Sequence, residues 1–155
     1  MADAAMKMTD AGGELVLSGF DLARDDGLET ALIISLFTDR RASNEQLPAE
    51  LPQEDLRGYW GDISNASPSD QTGSLLWLLA REKQGPHVLS RAQQYCREAL
   101  AWMIDDLVAK RVEVAAEFIG QGWMLILIDI YRPAGSPVRY RFNYEWAAQA
   151  AKRSV

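Results

Sequence analysis

The sequence predicts an α+β domain: three helices packed on a C-terminal three-stranded antiparallel meander, with a short N-terminal strand as a candidate fourth member. Three observations predict it. Apolar residues recur at helical spacing ahead of residue 110, the period switches to two from residue 111, and glycine- or proline-bearing turns separate the last three apolar runs. Helices preceding a meander imply a helical layer on one face of the sheet.

Taken in order, residues 1–12 read as a mobile tail, small and polar, closed by Gly12-Gly13. Glu14 to Ser18 is the short strand candidate. Asp26 is placed to cap a helix, with Glu29 three residues on as its capping-box partner. Leu28, Ala31, Leu32, Ser35 and Leu36 then share one face, so Leu28 to Thr38 is expected to be a buried helix. Residues 39–72 lack periodicity and hold three prolines, an arrangement expected of an interaction loop. Ser74 to Lys83 reads as a short helix capped by Ser74 and ended by Gly85-Pro86. Val88 to about Ala109 reads as the longest helix, its stripe running through Leu89, Ala92, Cys96, Ala99, Leu100, Met103 and Leu107.

The period-two region follows. Val112, Val114, Ala116 and Phe118 alternate with polar neighbours, and Trp123 to Tyr131 is nearly all apolar, as in a central strand covered on both faces. Val138, Tyr140, Phe142 and Tyr144 alternate with Arg139, Arg141 and Asn143. Residues 13–146 thus form one domain, followed by a tail at 147–155.

Composition narrows the function classes. At 155 residues with 48% apolar and 25% charged, the chain is long enough for one hydrophobic core and too apolar for wholesale disorder. Its longest apolar runs, Trp123 to Ile128 among them, are six residues, against the ~18 that a spanning helix needs, so no membrane partner is expected. Residues 1–10 lack an apolar leader, and a single cysteine allows no internal disulfide, which together suggest assembly in a cytosol. Net charge is −6, divided as 14 acids against 5 bases up to residue 73 (−9) and 8 acids against 11 bases beyond it (+3). This excludes a wrapped nucleic acid and allows one acidic and one basic face, or simply solvated surface.

Catalytic patterns are sparse. His87 is the lone histidine and Cys96 lies in a helix stripe, so neither a Cys/His pair nor an N/S-rich zinc site is expected, and no phosphate-binding glycine loop occurs. No cofactor is implied. Asp25-Asp26, Glu54-Asp55 and Asp105-Asp106 are paired acids, which glycosidases use across a cleft, but such pairs are common on solvated faces. Candidate partner contacts are clearer. Tyr59 and Trp60 sit between Gly58 and Gly61 and either present aromatics to a partner or tuck the loop onto the core. Arg40 and Arg41 serve the end of the first helix or pair with a partner's acids. Asp62 flanks the aromatics, and Asp105 and Asp106 near a helix end favour a basic partner, within this chain or another.

Four motifs in series carry a resemblance: Asp26-Gly27-Leu28-Glu29-Thr30-Ala31, Ser35-Leu36-Phe37-Thr38-Asp39-Arg40-Arg41, Arg57-Gly58-Tyr59-Trp60-Gly61-Asp62, and Gly73-Ser74-Leu75-Leu76-Trp77-Leu78-Leu79 with Arg81-Glu82-Lys83. From about Asp21 to Trp146 the chain resembles the baseplate protein family of Mu-type contractile-tail phages, named for the forty-sixth gene product. The resemblance implies a non-enzymatic structural role similar to the sheath-initiator wedge subunit once called lysozyme-like. It implies six copies around the tail in the virion, after assembly in the host cytoplasm, with other wedge proteins, tail sheath and tail tube as partners. The broader sheath-initiator group has a Glu-Pro-Arg motif between its long helix and the next strand. Trp102 to Leu107 lacks it here, so that contact is not carried over. Arg139 and Arg141, on a strand with an open edge, join the candidate contacts because an unpaired edge can take up a strand from another chain. A cytosolic adaptor and a peptidoglycan-cleaving enzyme are the alternatives of other classes.

Overall fold

A computed structural model of the protein describes residues 28–47, 49, 56–64, 71–80 and 82–146, and before residue 26 only the backbone of short paired segments. The expected tail at 147–155 lies outside the described residues, as do the side chains of residues 1–27. A sheet of three antiparallel strands forms one layer: β1 (Arg111–Gly120), β2 (Trp123–Tyr131) and β3 (Val138–Glu145), in the order β1-β2-β3. No N-terminal strand joins it among the described residues.

The meander follows the alternation in the sequence. On β2, Met124, Ile126, Ile128 and Ile130 are wholly buried, and across from them Val114 on β1 and Phe142 and Tyr144 on β3 face the same way. Gly122, at a φ of +77°, closes the first turn, and the register slips between Phe118 and Gly120, a bulge that leaves Ile119 half exposed. The expectation of a central strand covered on both faces is corrected. On the outer face Leu125 is buried, but Trp123, Leu127, Asp129 and Tyr131 beside it are only partly buried, so that face is covered in part. Apolar content alone did not distinguish a two-faced strand from one whose outer face is merely flanked by long side chains.

Helix α1 (Glu29–Phe37) buries Leu32, Ile33 and Leu36 against that sheet, and its Phe37 ring meets Phe142 edge-on with centroids 5.5 Å apart. Its N-cap is Leu28, which makes no side-chain cap hydrogen bond, and Asp26 of the expected Asp26–Glu29 capping box lies outside the described residues. The long helix differs too. Gly85 caps α2 (Pro86–Ala99), with Pro86 in its first turn, so this pair opens a helix rather than ending one. The chain breaks at Leu100, at φ −100° and ψ 3°, and resumes as the five-residue α3 (Ala101–Asp105). No glycine or proline marks the break. Burial decides it: Leu100 and Met103 both reach the core, while the Trp102 indole donates to Ser35 Oγ at 3.0 Å.

The helix expected over Ser74 to Lys83 is a single 3-10 turn, Leu76–Leu79. Leu75 through Ala80 are all at least 95% buried, six consecutive residues enclosed on every side. A surface helix would expose one face, so the short, tight turn is the form that buries them all. Leu76 and Leu79 join the main core, whereas Leu75, Trp77 and Leu78 form a second cluster with Ala42 and Leu47.

Candidate functional site

The second cluster organises the region that the sequence left without periodicity. Asp39 forms a parallel bridge with Ser74, with the Arg40 amide donating to Ser74 O at 3.0 Å and the Ser74 amide to Thr38 O at 2.9 Å. The Ser74 hydroxyl donates to Leu36 O and accepts the Leu76 amide, so one small side chain joins the end of α1 to the 3-10 turn. Gly73 permits this approach: at φ +98°, a Cβ there would lie 2.1 Å from Thr38 O. Trp77 is buried with its Nε1 donating to Arg40 O at 2.8 Å, and the Arg57 guanidinium lies 4.7 Å from its ring centroid. Arg57 also pairs with Asp39 at 2.5 Å.

The expected contact residues divide around this hub. Arg40 donates through Nε to Gln71 Oε1 at 3.2 Å, and Arg41 reaches Arg57 O at 3.4 Å while remaining exposed. Asp62 accepts the Thr72 amide at 2.9 Å, tying the two sides of the loop together. Tyr59 is 38% exposed, and its ring lies so close to Gly61 that a Cβ there would meet Cε1 at 2.4 Å. Trp60 begins the 3-10 turn Trp60–Ser64, and its side chain lies outside the described residues. Arg40, Arg41 and Asp62 thus each have a partner within this region.

The remaining candidates stand elsewhere. Arg139, paired in register with Asp129, donates through Nε and Nη2 to its two carboxylate oxygens at 2.6 and 2.8 Å. Those hydrogen bonds hold Asp129 below the ordinary carboxylate range and raise Arg139. Arg141, exposed opposite Leu127, stands on the same outer face. Asp105 and Asp106 are exposed at the end of α3.

Possible chemistry is limited by position. Cys96 is fully buried, which pushes its thiol up to about 12 and keeps it from acting as a thiolate near neutrality. His87 Nε2 lies 3.1 Å from Glu82, which also pairs with Arg91, so the imidazole belongs to a clamp between the 3-10 segment and α2. Among the described residues no group of three His, Cys, Asp or Glu side chains could hold a metal, and no helix is long and apolar enough to cross a membrane. A shallow cleft of about 340 Å³ lies by Arg97, Val112, Leu127 and Arg139.

Several residues escaped sequence reasoning. The Asp39–Arg57–Trp77 hub joins positions 18 to 38 apart, and no spacing rule couples them. Ile63 is 90% exposed, and Leu107, assigned to a buried helix stripe by its spacing, is 79% exposed beside the half-exposed Ile104.

Comparison with known proteins places these features in a family. The model of the family described as phage protein GP46 matches residues 28–137. The chain is 41% identical over 144 residues to the baseplate protein gp46 of Escherichia phage Mu, covering 92% of this chain and 96% of that protein. It is also 41% identical over 147 residues to the Mu-like prophage FluMu protein gp46 of Haemophilus influenzae, covering 95% and 99%.

Proposed function

This chain belongs to the phage protein GP46 family, and from that membership we propose that it is a structural component of the tail baseplate of a Mu-like phage or prophage. The observation that carries the reading is the 41% identity, across nearly the whole of both chains, to a Mu protein named as a baseplate protein. More finely, we read it as a sheath-initiator type of wedge subunit that works by protein contacts rather than catalysis. It would assemble in the host cytoplasm in six copies around the tail, against wedge, sheath and tube proteins.

Two features support that finer reading. The outer edge of β3 has no neighbouring strand among the described residues, so its main-chain N–H and C=O groups can pair with a strand of the sheath protein. Arg139 and Arg141 on the same short strand discourage indiscriminate edge pairing, leaving selection to a matched partner. The second feature is the loop around Tyr59 and Trp60, fixed by Arg57, Asp62 and Gly73, which we read as the dock for the larger wedge protein.

Co-expression of the tagged chain with the other tail genes of its locus tests both levels. Recovery of wedge or sheath protein is expected. Introduced charges between Val138 and Asn143 should then remove the sheath protein alone, whereas Trp60→Ala should remove the wedge protein. Recovery of no tail protein by the wild-type chain would sink the baseplate reading.

A further inference from the structure

We propose that Ile104 and Leu107 form an apolar knob that docks into an apolar pocket rimmed by lysine or arginine on another tail component. The proposal rests on the baseplate reading and adds a named contact to it. It begins with an oddity of backbone. The end of α3 is a complete Schellman motif: the Val108 amide donates to Met103 O at 2.8 Å, and the Leu107 amide to Ile104 O at 3.1 Å. Such a motif needs a left-handed residue at the position after the cap, and glycine is the usual occupant. Here Leu107 stands there at φ +59°. A branched side chain resists that conformation, so leucine weakens the motif relative to glycine.

The fold recovers nothing obvious from this side chain. Leu107 is 79% exposed and belongs to neither hydrophobic cluster, while Met103, Val108 and Ala109 around it do. Ile104, whose carbonyl accepts the Leu107 amide, is 45% exposed. Two large aliphatic side chains thus stand exposed on one closed turn. This is the form of an interface anchor, where burial against a partner supplies the free energy that the isolated chain lacks.

Charge specifies the occupant. Asp105 and Asp106 lie between the two aliphatics, are both exposed, and form no ion pair within 4.0 Å among the described residues. An acidic pocket rim would be repelled and a basic one attracted, so the knob selects for Lys or Arg around its pocket.

The experiment uses Leu107→Gly, for which the two roles predict opposite signs. Glycine fits the left-handed turn, so the variant should melt about 2–4 °C higher than wild type. It also removes the anchor, so affinity for the tail protein recovered with wild-type chain should fall roughly tenfold or more. Leu107→Asn, which tolerates the same backbone, should show the same loss. The paired Asp105→Asn and Asp106→Asn changes should weaken binding and flatten its salt dependence. A Leu107→Gly chain that is more stable and binds its tail partner as well as wild type overturns the knob and leaves the baseplate reading intact. Failure of the wild-type chain to recover any tail protein overturns both. Self-association of the wild-type chain that Leu107→Gly abolishes would give the knob to a second copy and overturn the basic-rimmed partner.

Discussion

The two hydrophobic clusters are held together by different means. In the larger one, Ile126, Ile128 and Ile130 on β2 meet Leu32, Leu36, Ala92 and Cys96 on the helices, and nearly every contact is apolar. Among the described residues the smaller one has Ala42, Leu47, Leu75, Trp77 and Leu78 as buried members, and hydrogen bonds and an ion pair border it. Trp77 alone receives a guanidinium on its ring and donates a hydrogen bond to Arg40 O. Where the described part of the connection meets the 3-10 turn, directed hydrogen bonds and an ion pair hold it, because single polar contacts can fix a segment that offers no periodic apolar face.

The largest expected effects come from truncating each cluster at its centre. Ile128→Ala should cost about 2–5 kcal/mol as an ordinary core cavity, and Trp77→Ala about 3–5 kcal/mol. The diagnostic difference is cooperativity under chemical denaturation. Ile128→Ala should shift one transition, while Trp77→Ala should split off an early transition reported by protease cleavage within residues 39–72. A single shifted transition for both would mean that the clusters form one cooperative unit.

Next in size is Gly73→Ala. The substitution combines an unfavourable φ of +98° with a Cβ 2.1 Å from Thr38 O, so the Asp39–Ser74 bridge must open. A loss of about 3 kcal/mol is expected from equilibrium unfolding. A loss below about 1 kcal/mol would mean that the bridge is not what anchors the loop. Arg57→Met should follow at about 2 kcal/mol, because it removes both the Asp39 pair and the contact on Trp77. A double-mutant cycle with Asp39→Asn isolates the ion pair, and a coupling near zero would assign the whole effect to Trp77.

The same contrast explains what the sequence made legible. The meander, α1 and most of α2 were readable because one periodic signal is repeated over eight or more residues, as in Val138 to Glu145. The hub around Trp77 was not, since it depends on single residues far apart, among them an arginine that prefers an indole face to water. The 3-10 turn and the break at Leu100 were misread for a related reason: apolar spacing reports that residues are buried, not the backbone form that buries them. Among the exposed apolar residues, sequence reasoning took Leu107 for core. Its spacing fits the helix stripe, and only the left-handed turn at φ +59° removes it from that face.

The smallest effect sits on the outer face of the sheet, where polar contacts again replace apolar burial. Asp129 and Arg139 are directly cross-strand neighbours, and the arginine's two hydrogen bonds keep the aspartate ionised to lower pH than usual. A depressed folded-state pKa gives stability that is present above the carboxylate's ordinary value of 3.8 and is lost as pH falls through the lower folded value. Because the pair faces solvent, Asp129→Asn should lower the melting temperature by only about 1–2 °C at neutral pH. The gap between the two chains should close on acidification below the ordinary carboxylate range, and it should also narrow in high salt. A gap that persists at acid pH would mean that the asparagine disturbs β3 by some route other than charge. A gap that closes as expected would show that the Asp129–Arg139 charge pair itself contributes to holding β3 on β2.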